Sequence, residues 1–186
     1  PDPDDVTDLL EAGAETVSVG DVLMDEAFNN DNNWPEFEDD DYSGVLDDGM
    51  YRMTSAEGFY TWQMSGDTYG DVVIEVETQQ NSKSEINDYG IICRSDLDNP
   101  GSGYYFLISG DGSYGIFRQT DMDDGKEPLV DWDQSRAINQ GRDNNAITVV
   151  CVGDYLALYV NGDLVDETYD DELPEGRDVE HHQPRR

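Results

Sequence analysis

The chain has 186 residues, 36% of them hydrophobic, and carries 44 Asp and Glu against 10 Lys and Arg, a formal charge of −34. That length suits one antiparallel sandwich, with its apolar residues gathered in alternating patches between about residue 20 and residue 170. So negative a surface repels nucleic-acid phosphates and anionic membranes, which excludes both as partners, and no apolar run reaches transmembrane length.

The acids suit either cation-binding loops or a surface adapted to high salt. Their spread along the whole chain favours the surface. Residues 1–16 (PDPDDVTDLLEAGAET) read as an acidic, flexible linker with one short helical stretch, Val6 to Ala14. Because the chain starts at Pro1 and not Met, a preceding segment is expected to have been removed or left out, and the compartment is expected to lie outside the cytoplasm.

From residue 17 a single domain is expected, running to residue 175. SVGDVLMDEAF reads as its first strand, and a long Asn- and Asp-rich loop follows, pinned to the body by Trp34 and Phe37. MYRMTS, FYTWQMS and DVVIEVETQ are the next expected strands. The run from Tyr89 to Gly162 then alternates apolar and polar positions between turn dipeptides, Asp111-Gly112 and Asn161-Gly162 among them, which accept the positive φ of tight hairpins. Alternation turns Tyr89, Ile91 and Cys93 inward and Arg94 outward. It turns Tyr104, Phe106 and Ile108 inward, and Tyr105 and Ser109 outward. The final stretch, residues 176–186, has neither alternation nor turn signals and reads as a disordered tail. His181 and His182 there are adjacent residues on a loose end, not a metal site. Cys93 and Cys151 both sit in apolar strands. They either pair or remain buried thiols, because sequence does not reveal which strands adjoin.

The order of segments, with DEAF and a Trp, Tyr51-Arg52, DVVIEVE, YGIICR, YYFLISGDGSYGIFR, LVDW and NAITVVCVGDYLALYVNG, resembles the laminin G-like jelly rolls of bacterial extracellular proteins, within the concanavalin A-like lectin/glucanase superfamily. The likeness spans about residues 20 to 170. It implies an all-β, two-sheet antiparallel jelly-roll sandwich with a concave ligand face, and functions that range from lectins and adhesion modules to glycanases and spacers. It also implies that Trp132 is framework, and that a closing strand should follow Gly176, where Arg177 and Asp178 stand instead. A shorter likeness of the Glu75/Glu77 strand and YGIICR is to 3-keto-disaccharide hydrolase-like domains.

In such glycanases alternating acids on one strand point into a cleft and flank the sugar. Here Glu75 and Glu77 share a face with Asp71, but Thr78-Gln79-Gln80 occupies the place of a third acid. If the strands adjoin, Glu75, Glu77, Arg94 and Tyr105 make a ligand-binding patch in which the ring offers an apolar floor and the charges bind hydroxyls. A plain cross-strand ion pair is the simpler alternative. For calcium the candidates are Asp96, Asp98 and Asn99, and Asp121, Asp123 and Asp124. An EF-hand is excluded, since Gly125 falls at the fifth position and Trp132 at the twelfth. Trp62 and Trp132 are expected in the core, and the absence of histidine before residue 181 excludes a Ser-His-Asp site.

The sequence therefore points to a non-catalytic, extracellular or cell-surface module that binds carbohydrate as part of a larger protein. A glycan hydrolase using Glu75 and Glu77, or a spacer, are the alternatives, and calcium is the one cofactor the loops suggest.

Overall fold

The computed structural model describes residue 17 and residues 20–30, 33–65 and 69–173, and the expected linker, tail and closing-strand gap lie outside them. Among the described residues there is no helix; the chain is all-β. It forms two compact units, one of residues 20–67 and the other of residues 1–19 with 68–186.

The smaller unit holds β1 (Phe37–Glu38), β2 (Tyr42–Asp47) and β3 (Met50–Ser55), paired in that order as an antiparallel sheet. β2 and β3 are joined by Asp48-Gly49, both at positive φ (50° and 76°), the geometry of a two-residue hairpin. The rings of Phe28, Trp34 and Tyr51 cluster with centroids 5.5 to 6.2 Å apart. Tyr51 donates its hydroxyl hydrogen to the Pro35 carbonyl at 2.7 Å, which ties the loop to β3. Two expectations fail here. Residues 20–28 and 59–65 form no strand. Phe28 packs against Trp34 instead of joining a ladder, whereas Val22, Leu23, Phe59 and Tyr60 are exposed.

The larger unit is a two-sheet antiparallel jelly-roll sandwich. One sheet has the order β11-β10-β9-β4, from β4 (Val72–Gln79), β9 (Asn144–Val152), β10 (Tyr155–Val160) and β11 (Asp163–Tyr169). The other runs β5-β6-β7-β8, from β5 (Asp88–Cys93), β6 (Gly103–Ser109), β7 (Ser113–Gln119) and β8 (Glu127–Gln134). Asn161-Gly162 takes positive φ at both residues, as expected of its hairpin. At Asp111-Gly112 only Gly112 does (φ 89°), because three residues, not two, connect β6 to β7.

Alternation places Val72, Ile74 and Val76 of β4, Ile147, Val149 and Cys151 of β9, and Leu156, Leu158 and Val160 of β10 against Tyr104, Phe106, Ile108 and Ile116. Each fully buried Val, Leu, Ile or Phe contributes roughly 1.5–3 kcal/mol. Cys93 of β5 and Cys151 of β9 are disulfide-bonded, so the bridge joins the two sheets through the core. Three inward tyrosines add polar ties at the core's margins. The Tyr89 hydroxyl accepts from Asn145 Nδ2 (3.2 Å), Tyr114 donates to Asp166 (3.0 Å) and Tyr104 donates to Asp170 (2.6 Å).

Candidate functional site

The residues expected to share one patch are distributed over three places. Glu75 and Glu77 are exposed on β4, on the face opposite Ile74 and Val76, which pack against the core. Their register partners on β9 are Thr148 and Ala146. Tyr105 lies on the outer face of the other sheet, and its hydroxyl donates to the Gly101 carbonyl at 2.6 Å. β4 pairs with β9 and never with β5, so the adjacency that the patch required is absent.

Arg94 is the clearest correction. Expected outward, it is 7% exposed. It follows β5 in the left-handed region (φ 54°), and this breaks the alternation of the strand. Its guanidinium donates to the Gly153 carbonyl (2.6 Å), to Asp71 Oδ1 (3.2 Å) and to the Leu173 carbonyl (3.4 Å), and stands 5.9 Å from the Tyr104 ring centroid. Arg94 therefore clamps the end of β5 to the β9-β10 turn of the opposite sheet.

The calcium candidates are engaged in turns. Asp96 Oδ1 accepts the Asp98 N–H (2.9 Å), Asp121 Oδ1 accepts the Asp123 N–H (3.0 Å), and Asn99 Nδ2 joins the two loops by donating to the Thr120 carbonyl (2.9 Å). The carbonyls of Asp121, Met122 and Asp124 converge at 3.0 to 3.3 Å on the side-chain amide of Gln119. That amide fills the oxygen-lined arch with two N–H donors. Among the described residues no three His, Cys, Asp or Glu side chains gather as a metal site would need.

A different surface combines groups suited to recognition. On the outer face of β5-β8, Ile92, Tyr105, Leu107 and Phe117 form a second apolar cluster. Tyr105 and Phe117 are register partners on β6 and β7. Lys126 Nζ sits 4.9 Å from the Tyr105 ring centroid, and Trp132 packs 5.2 Å from Phe117. Burial pulls the Lys126 pKa down, and Asp88 acts in the opposite direction. Trp132 is 47% exposed and so overturns the expectation of a core or framework role. Its seat exists because residue 115 is glycine: a Cβ there would lie 2.7 Å from the Phe117 ring.

Beyond Trp132 the same strand face continues to Gln134, two residues on. At the end of β8 and in the connection after it, an open depression of about 390 Å³ is lined by Gln134, Ser135, Arg136, Ile138 and Gln140. Ile138 is buried beneath it, and Gln140 is held by donating Nε2–H to the Asp111 carbonyl (2.9 Å). Sequence reasoning missed this surface because β7 and β8 pair with two register shifts, which disturb alternation. The adjacent Leu129 and Val130, both packed on the core, were the available signal.

No protein-family model matches the sequence, and no curated protein matches it either. Among solved structures, the carbohydrate-binding module CBM66 from Bacillus subtilis is similar in fold, with 15% identity, a TM-score of 0.50, and coverage of 76% of this chain and 73% of that one. The CBM40 of Ruminococcus gnavus IT-sialidase, bound to alpha2,6 sialyllactose, aligns at 15% identity and a TM-score of 0.42 over 61% of each chain. At these identities the likeness to CBM66 is one of fold, the jelly-roll sandwich.

Proposed function

We propose that the chain is a non-catalytic carbohydrate-binding module that works outside the cell as part of a larger protein, with the outer face of β5-β8 as its binding surface. The observation that carries this reading is the half-exposed Trp132, seated on Phe117 in the strand whose end and following connection line a depression with two amides, a hydroxyl and a guanidinium. A sugar ring has apolar C–H faces that stack on an indole and an equator of hydroxyls that needs donors and acceptors; β8 supplies the indole, and its end with the connection after it supplies the polar groups. CBM66 uses the same kind of fold for carbohydrate binding, which agrees with the reading without carrying it. Among the described residues no carboxylate lines the depression, whereas glycoside hydrolysis ordinarily takes a flanking pair. The disulfide suits an oxidising compartment.

Binding to a glycan microarray, followed by titration of the best ligand, tests the proposal. Trp132→Ala should weaken binding by at least about ten-fold, as expected when an aromatic contact worth about 1.4 kcal/mol or more is lost. Tyr169→Ala, which removes an exposed ring on the other sheet, should bind as the parent does. Equal binding by Trp132→Ala and the parent would overturn the placement. Turnover of any polysaccharide that is abolished by Glu75→Gln would overturn the non-catalytic reading.

A further inference from the structure

We infer that the preferred ligand on this face is a carboxylated glycan, a chain containing uronic-acid-type sugars, lying along β8 with a carboxylate received by Arg136. The inference rests on the binding face proposed above and names its substrate class.

Cations are scarce in this chain, 10 against 44 acids, and two of them flank in sequence the strand that carries the exposed indole. Lys126 immediately precedes β8, Trp132 lies within it, and Arg136 stands two residues beyond its end. β8 has eight residues and is roughly 26 Å long, enough to run beside several sugar rings.

The other described arginines of the sandwich are committed. Arg94 binds Asp71, Arg118 binds Glu127 and Asp170 at 2.6 Å each, and Arg142 donates to the Ser82 carbonyl (3.3 Å). Arg136 forms no ion pair with a described carboxylate, although the chain is crowded with them. Its companions in the depression, Gln134, Ser135, Ile138 and Gln140, are all uncharged. A fork of fixed N–H donors suits a carboxylate bidentately, and the neighbouring amides and hydroxyl can take the remaining oxygens of a sugar acid. A neutral sugar leaves that guanidinium with nothing to neutralise. The formal charge of −34 opposes the approach of any anion at long range, so acceptance of an acidic ligand depends on cations at the face itself.

The test compares oligogalacturonide with the same oligomer after its carboxylates are reduced to primary alcohols, by calorimetric titration at one fixed ionic strength. Oligomannuronide and its reduced form make a second pair. The intact oligomer of at least one pair should bind about ten-fold or more tightly than its reduced form, the scale of one charge-assisted hydrogen bond. Arg136→Gln should narrow that ratio toward one, Lys126→Gln should lower affinity for the intact oligomer, and Lys83→Gln should match the parent. Circular dichroism and unchanged melting temperatures establish that the variants fold. Equal affinity for intact and reduced oligomers, with Trp132→Ala weakening both, would overturn the acidic-ligand inference and leave the binding module standing. An unchanged ratio in Arg136→Gln would overturn the role of that residue. No binding to either pair, with a neutral glycan bound on the array, would also overturn the inference; silence toward every glycan would overturn the binding module as well.

Discussion

Tyr104 gives its hydroxyl hydrogen to Asp170 Oδ1 at 2.6 Å across the two sheets, and the Tyr104 hydroxyl oxygen receives the Leu173 N–H at 3.1 Å. Arg118 holds the other carboxylate oxygen at 2.6 Å. Burial opposes ionisation of Asp170, but the bonds from Tyr104, the Glu172 N–H and Arg118 outweigh it and hold its pKa below the usual range. Burial and then the Asp170 bond push the Tyr104 hydroxyl up to about 12. The lowered Asp170 value contributes stability that is present above its unfolded pKa of 3.8 and is lost as pH falls through the folded value. The raised Tyr104 value contributes stability that is present below pH 10 and is lost as pH rises toward about 12. Denaturant unfolding across pH should show both declines. Tyr104→Phe should cost about 1–3 kcal/mol at neutral pH by leaving the Leu173 N–H without its acceptor and Asp170 with one donor fewer. A variant as stable as the parent would show that water replaces the hydroxyl.

Arg94 should behave as part of the frame. Arg94→Ala strands the Gly153 and Leu173 carbonyls, and a loss of about 2–3 kcal/mol is expected from urea unfolding. Arg94→Lys should recover only part of this, since one ammonium cannot reproduce the fork. Full stability in Arg94→Ala would contradict the clamp.

Reduction of Cys93–Cys151 opens a loop with a sequence separation of 58, for which chain entropy gives a loss of roughly 4 kcal/mol. Thermal unfolding with and without a strong reductant measures it. A shift of only a degree or two would mean that packing alone sets the sheet spacing.

Calcium should leave the loop at residues 121–124 unchanged, because the Gln119 amide already satisfies its carbonyls. Melting temperatures in excess calcium and in chelator should agree. A rise of several degrees with calcium would show that the ion displaces the amide.

The charge of −34 should make stability depend on salt. Few carboxylates of the described residues are ion-paired, so self-repulsion opposes the compact state in dilute buffer. Melting temperature should climb from dilute buffer to molar sodium chloride as the screening length contracts to about 3 Å. A flat profile would reject this account.

Local pattern was legible in the sequence, and sheet order was not. Tyr104, Phe106 and Ile108 point inward as their alternation says, because β6 is regular and paired on both sides. Arg94 defeats the same rule because it stands just past the end of β5 and is itself in the left-handed region, so the strand's alternation no longer governs it. The patch of Glu75, Glu77, Arg94 and Tyr105 depended on β4 lying beside β5. That is a question of long-range pairing, and strand composition carries no record of it. Trp132 was hidden by the irregular register of β7 and β8, and the depression by lining residues that come from the end of β8 and the connection after it.

Gly115 gives the module a means of change. It faces outward, away from the disulfide and the inter-sheet core, yet the Phe117 ring leans across it and Trp132 rests on that ring. A methyl group at this one position must tip the phenyl ring, and the indole with it, while the other face of β7 keeps its packing. The tilt of the platform can thus drift between descendants of one ancestral scaffold, and ligand choice can diverge while the fold beneath is inherited intact.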